Sequence, residues 1–191
     1  MPIKNTEIQI NTGKLLVAEP FMLDPNFRRS VILICDHDKE DGSIGFVLNK
    51  AIDMKINDLL VTFPAFEANV YYGGPVQTDT IHYIHTLGDL LPNSVEVMDG
   101  IWFGGDFDEL KKLASMELLE AKDIRFFIGY SGWSHGQLHN EIITKSWFLA
   151  EGDSNFIFND KYFKTMWTDV LQQEGGTKSV IGQIPKLVSF S

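Results

Sequence analysis

Cysteine is almost absent from this chain of 191 residues, Cys35 being the only one. No intramolecular disulfide can form, and no cysteine pair exists to begin a zinc site. Cys35 follows the apolar run Val31-Ile32-Leu33-Ile34, where a thiol is expected to lie buried as a small hydrophobe. Positive charge is also scarce. Sixteen Lys and Arg stand against 26 Asp and Glu, a net charge of −10. Nucleic-acid backbones are bound largely through Lys and Arg that displace counterions. Here the only adjacent arginines are Arg28 and Arg29, so direct nucleic-acid binding is not expected. No apolar run reaches membrane length and no N-terminal signal pattern appears, so a cytoplasmic protein without a membrane partner is expected.

Phosphate-binding loops are missing as well. Gly42-Ser43-Ile44-Gly45 lacks the Gly-Lys-Ser/Thr ending, and Gly175-Gly176-Thr177-Lys178-Ser179 has its lysine misplaced and no earlier glycine at the right distance. Gly73-Gly74-Pro75 suits a sharp strand-to-loop turn. There is no internal repeat, low-complexity tract or linker. What the chain does have is a core: hydrophobic residues make up 44% and aromatics 12%, enough for one domain without disulfides or metal.

Short aliphatic and β-branched segments at 13–19, 30–35 and 44–48 read as strands, separated by Pro20, Asp24-Pro25-Asn26 and the polar stretch 38–42. Such short connections favour antiparallel neighbours. A short helix is expected at 56–61, strands at 70–72 and 81–86, and a hairpin of 95–97 with 101–103 across Met98-Asp99-Gly100. Asp106 and Glu109 form a capping pair for a helix bearing Phe107, Leu110, Leu113 and Ala114 on one face. A strand at 124–130 precedes a second helix starting near Gly136, and 147–150 is again extended. A final helix is expected at about 160–173, with Asp160 as N-cap, Phe163, Met166, Trp167, Val170 and Leu171 on one face, and Gly175-Gly176 ending it. The fold class is α+β: one domain over 1–191, a mixed and mostly antiparallel sheet, partly barrel-like, with a few flanking helices.

Gly132-Trp133-Ser134-His135-Gly136 matches the G-x-S-x-G of a hydrolase nucleophile elbow. In that architecture an acid and then a histidine follow the serine. No acid lies between Ser134 and His139, the last histidine in the chain, and the βαβ alternation is missing, so the match is read as coincidence. His135 and His139 stand at i, i+4, but Gly136 occupies the place of the zincin glutamate. No spacing compels Glu141, His82 or His85 to complete a metal set. The pair reads as two solvent-facing histidines beside a helix start, and no metal or cofactor is expected. The glycines at 129, 132 and 136 are expected to turn the chain at a strand end. Trp133 is expected to pack inward, and Gln137 and Glu141, at i, i+4, to satisfy loop amides or meet a partner.

Three blocks carry a family resemblance. The first is Gly13-Lys14-Leu15-Leu16-Val17-Ala18, then Asp24-Pro25-Asn26-Phe27-Arg28-Arg29-Ser30-Val31, His37, and Gly45 through Asn49-Lys50. The second is Tyr72-Gly73-Gly74-Pro75-Val76 with Ile84-His85. The third is Gly129-Tyr130, Gly132-Trp133, Gly136-Gln137-Leu138, Glu141-Ile142 and Trp147. In this order, over about 13–150, they resemble the signature of the AlgH/YqgE family. The resemblance implies a single-domain α+β fold with a partly closed mixed sheet. It also implies bacterial cytosolic proteins without an established activity, labelled transcriptional regulators through a link to alginate production. His82, Ser134, His135 and His139 fall outside the family pattern, and Ala51 replaces its usual proline. His37 and His85 match it.

The reading that follows is a non-enzymatic binding or regulatory protein, acting indirectly on transcription if at all. Its candidate binding residues are Asn26, Arg28, Arg29, His37, Asn49, His85, Tyr130, Trp133, Gln137 and Glu141, and its partner is a protein or a small anionic ligand. No catalytic residue is assigned. Arg28 and Arg29, as adjacent strand residues, are expected to point to opposite faces. The rival reading is an enzyme that gathers His37, His85 and a carboxylate such as Glu141 into one pocket.

Overall fold

A computed structural model describes residues 7–173. Ten strands form its sheet: β1 (Leu15–Ala18), β2 (Val31–Asp38), β3 (Gly42–Val47), β4 (Ala51–Lys55), β5 (Asn69–Tyr72), β6 (Val76–His85), β7 (Ser94–Met98), β8 (Ile101–Gly104), β9 (Ile124–Trp133) and β10 (Trp147–Ala150). Five α-helices accompany them among the described residues: α1 (Ile56–Leu59), α2 (Phe107–Ser115), α3 (Gln137–Ile143), α4 (Ser154–Ile157) and α5 (Met166–Gln173). The strand order is β10-β1-β2-β3-β9-β6-β8-β7, with β4 and β5 branching from β9. All pairings are antiparallel except that of β5 with β9. The expected mixed, mostly antiparallel α+β domain is what forms. Its sheet stays open, since β10 and β7 end the strand order unpaired with each other.

Side-chain alternation divides the core into layers. From β1 and β2, Leu15, Val17, Val31, Leu33 and Cys35 join Phe46, Phe127 and the apolar stripe of α5. The alternate residues Leu16, Ala18, Ile32 and Ile34 face the other way, packing with Trp133, Leu138 and Trp147. Along β9 the same switch sends Phe126 and Ile124 to a cluster with Leu110 and Ala114 of α2. Both faces of β1, β2 and β9 are therefore buried, which is why these strands read as continuous apolar runs. Burial raises the Cys35 thiol pKa far above its ordinary value, with Asp36 adding to the effect. It behaves as the expected buried hydrophobe.

Four expectations need correction. Residues 51–55, unassigned by pattern, form β4 against β5. The last helix does not start at Asp160. Residues Asp160–Tyr162 form a 3₁₀ turn capped by Asn159, and the α-helix begins only at Met166. The apolar face is as expected, with Phe163 packed beside it; the glycines at 175 and 176 lie outside the described residues. The glycines of the third block do not jointly form a turn, because β9 continues through Gly129 and Gly132 to Trp133. Gly129, within β9, and Gly136, at the start of α3, take left-handed φ values of 65° and 73°, whereas Gly132 does not.

Nor is Gly73-Gly74 chiefly a turn. A Cβ on Gly73 would sit 2.3 Å from the Gly129 carbonyl oxygen, and one on Gly74 would sit 2.2 Å from the Tyr130 carbonyl carbon. The second and third signature blocks therefore cross at backbone contact, which only glycine permits.

Candidate functional site

The third block is organised by one carboxylate. Glu141 Oε2 accepts from the indole Nε1 of Trp133 at 2.8 Å and from that of Trp147 at 2.9 Å. Its Oε1 accepts from Gln137 Nε2 at 3.0 Å, and Gln137 Oε1 in turn accepts from the Ser134 amide at 3.0 Å. An indole N–H can only donate, so two buried indoles need acceptors, and an ionised carboxylate serves both. Trp133 is 6% exposed and Trp147 2%, their rings meeting edge-on at 6.1 Å. Trp133 thus packs inward as expected. The i, i+4 pair of Gln137 and Glu141 does meet a loop amide, and it also holds two tryptophans.

Phe27, from the first block, stacks edge-on against Trp147 at 5.5 Å. Its loop is secured from within. Lys50 Nζ donates to the carbonyls of Pro25 and Asn26 at 2.8 and 2.6 Å, and burial lowers the Lys50 pKa against an opposing pull from Asp24. Asn26 Oδ1 accepts from the Tyr72 hydroxyl at 2.8 Å. Asn49 accepts from the Val31 amide at 3.0 Å and donates to the Arg29 carbonyl at 2.8 Å. Asn26 and Asn49 therefore tie loop to sheet. Arg28 and Arg29 lie in the turn before β2, which corrects their placement on a strand. Arg29 has a left-handed φ of 55° and its guanidinium lies 4.7 Å above the Trp167 ring; Arg28 is exposed.

The histidines have separate environments. His37 Nδ1 lies 2.8 Å from Ser43 Oγ, its cross-strand partner. His85 is fully buried, with Nε2 2.8 Å from the Gly104 carbonyl and Nδ1 accepting from the Leu87 amide at 3.2 Å. Those partners assign the proton to Nε2 and keep the ring neutral. Its pKa is lowered by burial, which outweighs the Gly104 bond. His37, His85 and Glu141 thus belong to three networks with no shared partner, and the pocket required by the enzyme reading is not assembled from them. Ser134 Oγ meets Gln137 Oε1 at 3.3 Å rather than a histidine. His135 Nδ1 bonds the Lys39 carbonyl. Among the described residues no three His, Cys, Asp or Glu are grouped so as to hold a metal ion.

An open groove of about 310 Å³ runs between the β2–β3 turn and the start of α3. His37, Ser43, His135 and His139 line it, with Lys39 and Asp38 at the turn. Tyr130 borders a neighbouring hollow with Trp133, its ring edge-on to His82 at 5.7 Å. Arg28, Arg29, Asn26 and Asn49 line neither space. Of the candidate residues only His37 lines the groove, and the set does not form one surface.

The signature blocks thus act as contacts between distant segments, joined by glycine crossings, a shared carboxylate and a half-buried lysine. A family model described as AlgH-like matches residues 15–179. The chain belongs to the AlgH-like family. Among its relatives, a UPF0301 protein of Chlorobaculum tepidum is 41% identical over 178 residues, covering 93% of this chain and 94% of that one. A UPF0301 protein of Bacteroides thetaiotaomicron is 35% identical over 190 residues, covering 99% and 95%. The crystal structure of a Corynebacterium diphtheriae protein is similar with a TM-score of 0.74 at 22% identity, covering 93% of this chain and 94% of that one. The solution structure of AlgH from Pseudomonas aeruginosa is similar with a TM-score of 0.70 at 24% identity, covering 92% and 94%. These two likenesses concern the fold. Among the described residues no helix of this AlgH-like chain is long and apolar enough to cross a membrane.

Residue-by-residue reasoning missed Lys50, Tyr72 and Arg125. Lys50 and Tyr72 stand inside the quoted blocks, so their positions were marked although their roles were not. Arg125 carried its own signal, a lone charge in the apolar run Ile124-Arg125-Phe126-Phe127-Ile128.

Proposed function

We propose that this AlgH-like chain is a non-catalytic binding protein whose ligand-facing surface is the groove between the β2–β3 turn and α3. One observation carries the reading. The groups a catalyst would have combined, His37, His85 and Glu141, are held apart in separate networks, whereas the groove brings together polar side chains of β2, the β2–β3 turn and the start of α3, with His37 the signature residue among them. Its volume lies at the small end of ligand sites. Three imidazoles and Lys39 supply donors for a small anion, set against the carboxylates of Asp38 and Glu7 in the same lining. Any effect on transcription then passes through the bound ligand or a protein partner, because a net charge of −10 opposes direct contact with DNA.

A thermal-shift screen of small carboxylates and phosphates tests this, run beside affinity capture from a native lysate. At least one anion is expected to raise the melting temperature saturably, and His139→Ala is expected to remove that shift. Turnover of a screened compound that disappears in His37→Ala would overturn the non-catalytic reading. A shift that survives both His139→Ala and Lys39→Ala would move the ligand out of the groove.

A further inference from the structure

Arg125 is the one residue whose buried side chain is left incompletely bonded among the described residues. It projects from the middle of the sheet, on β9, and its side chain is only 3% exposed. The guanidinium carbon lies 4.8 Å from the Tyr71 ring centroid and 6.0 Å from that of Phe158. Nη2 donates to Asp160 Oδ1 at 3.0 Å, but Nη1 is buried with no hydrogen-bond partner. A guanidinium presents paired donors suited to two oxygens of one planar or tetrahedral anion. Asp160 supplies a single oxygen, from a side chain 85% exposed on a three-residue 3₁₀ turn. A charge buried at such cost with half its fork unused is poor construction for stability alone.

Beside it lies a pocket of about 150 Å³, lined by Arg125, Asp160, Tyr71, Phe158, Asn69 and Lys122. That is below the range of about 300–1,000 Å³ usual for drug-sized ligands, so the occupant is an anion of few heavy atoms. Glu67 also lines the pocket, but its carboxylate is 91% exposed and lies 3.8 Å from Lys55 Nζ. We propose that Arg125 is the receptor of a small oxyanion, a phosphate or a carboxylate, and that Asp160 is the internal group it displaces. The Asp160 turn moves aside and the anion takes both guanidinium nitrogens, while Lys122, paired with Glu120 at 2.8 Å, stays at the rim. This site is separate from the groove and does not depend on the reading given for it.

The full chain carrying Asp160→Ala provides the test. In chloride buffer this variant is expected to melt below the parent, because the guanidinium is left unpaired. Inorganic phosphate and acetate are then added in separate arms at constant ionic strength. One of them is expected to restore the melting temperature along a single-site saturation curve, and the arm that does so identifies the oxyanion. The parent should need at least tenfold more of the same anion for an equal shift, since Asp160 competes. Arg125→Met combined with Asp160→Ala should show no such response. The proposal is overturned if neither anion stabilises Asp160→Ala more than chloride does. It is equally overturned if the double variant responds as Asp160→Ala does, or if the parent and Asp160→Ala need the same concentration. Variants at His139 and Lys39 leave this response unchanged, which separates it from the groove.

Discussion

Glu141 and Arg125 are both charged side chains set among aromatic rings, and the fold treats them in opposite ways. Both oxygens of Glu141 accept hydrogen bonds, three in all, from Trp133, Trp147 and Gln137. Arg125 also lies among aromatics, beside Tyr71 and Phe158, yet one of its terminal nitrogens has no partner. The partners differ as much as the counts. Two of the three partners of Glu141 are packed indoles fixed by the sheet, whereas Asp160 is an exposed residue on a short turn. A satisfied charge among fixed partners braces a fold. A half-satisfied one with a movable partner is better suited to binding, because a ligand can complete it.

The largest expected effect comes from breaking the brace at its core. Trp133→Ala removes a buried indole packed against Trp147 and Leu138, and should cost about 3–5 kcal/mol in urea denaturation. A loss below about 1 kcal/mol would show that the Glu141 side is not a stabilising unit. The indole would then be better explained as an anchor for a partner.

Next in size is Glu141→Ala, which leaves two buried indole N–H groups without acceptors. Each such group costs about 1–3 kcal/mol, and some relaxation toward water makes a total of about 2–4 kcal/mol the expectation. Glu141→Gln keeps one acceptor oxygen and should recover part of it. Equal losses in the two variants would mean that the charge matters more than the count of acceptors.

How much of this contrast was visible in the sequence depends on the range of each interaction. Strands with β-branched runs, the hairpin at Asp99-Gly100 and the Asp106 cap depend on near neighbours, and the chain spells them out. The Asp106 side chain accepts from the Glu109 amide as the pattern implied. Gln137 and Glu141 were visible as a helical pair, but the two indoles they hold lie on different strands. Asp160 looked like a helix cap because an aspartate before an apolar stripe usually is one. Its actual partner, Arg125, is 35 residues away, and only the sheet brings them together. Residues 51–55 became a strand beside β5; the alternation of Ile52 and Met54 with Asp53 and Lys55 was the signal for it, and the pattern reading missed it.

Acid offers a way to load the fold elsewhere, leaving both charges in place. His82 and His85 have pKa values lowered from 6.5, in each case chiefly by burial. The unfolded chain therefore takes up protons first. Stability from these rings is fully present above about pH 6.5 and is lost as the pH falls from there toward the lower folded-state values. For His85 the slope in that window is positive and, for one proton, cannot exceed about 1.4 kcal/mol per pH unit. Protonation at Nδ1 also abolishes the bond from the Leu87 amide. Urea midpoints collected from pH 7.5 to 5 should fall, and fall less in His85→Asn. A flat profile would mean that the buried imidazole ionises as readily in the folded chain as in the unfolded one.

The smallest effect is expected at Arg125, and it sharpens the comparison most. Arg125→Met keeps an unbranched apolar chain between Tyr71 and Phe158 while removing the charge and its orphaned nitrogen. Removing one member of a buried pair is usually costly because the other charge is stranded. Here the remaining partner, Asp160, is 85% exposed and simply stays in water. What is lost is one charge-assisted hydrogen bond and the stacking of a cation on Tyr71, about 1–3 kcal/mol together. What is gained is the desolvation penalty of a guanidinium and the relief of one unpaired donor, of similar size. The two nearly cancel, so Arg125→Met should lie within about 1 kcal/mol of the parent in urea denaturation, against the several expected for Trp133→Ala. A loss above about 2 kcal/mol would place Arg125 with Glu141 as a brace, and its unpaired nitrogen would cease to argue for a ligand.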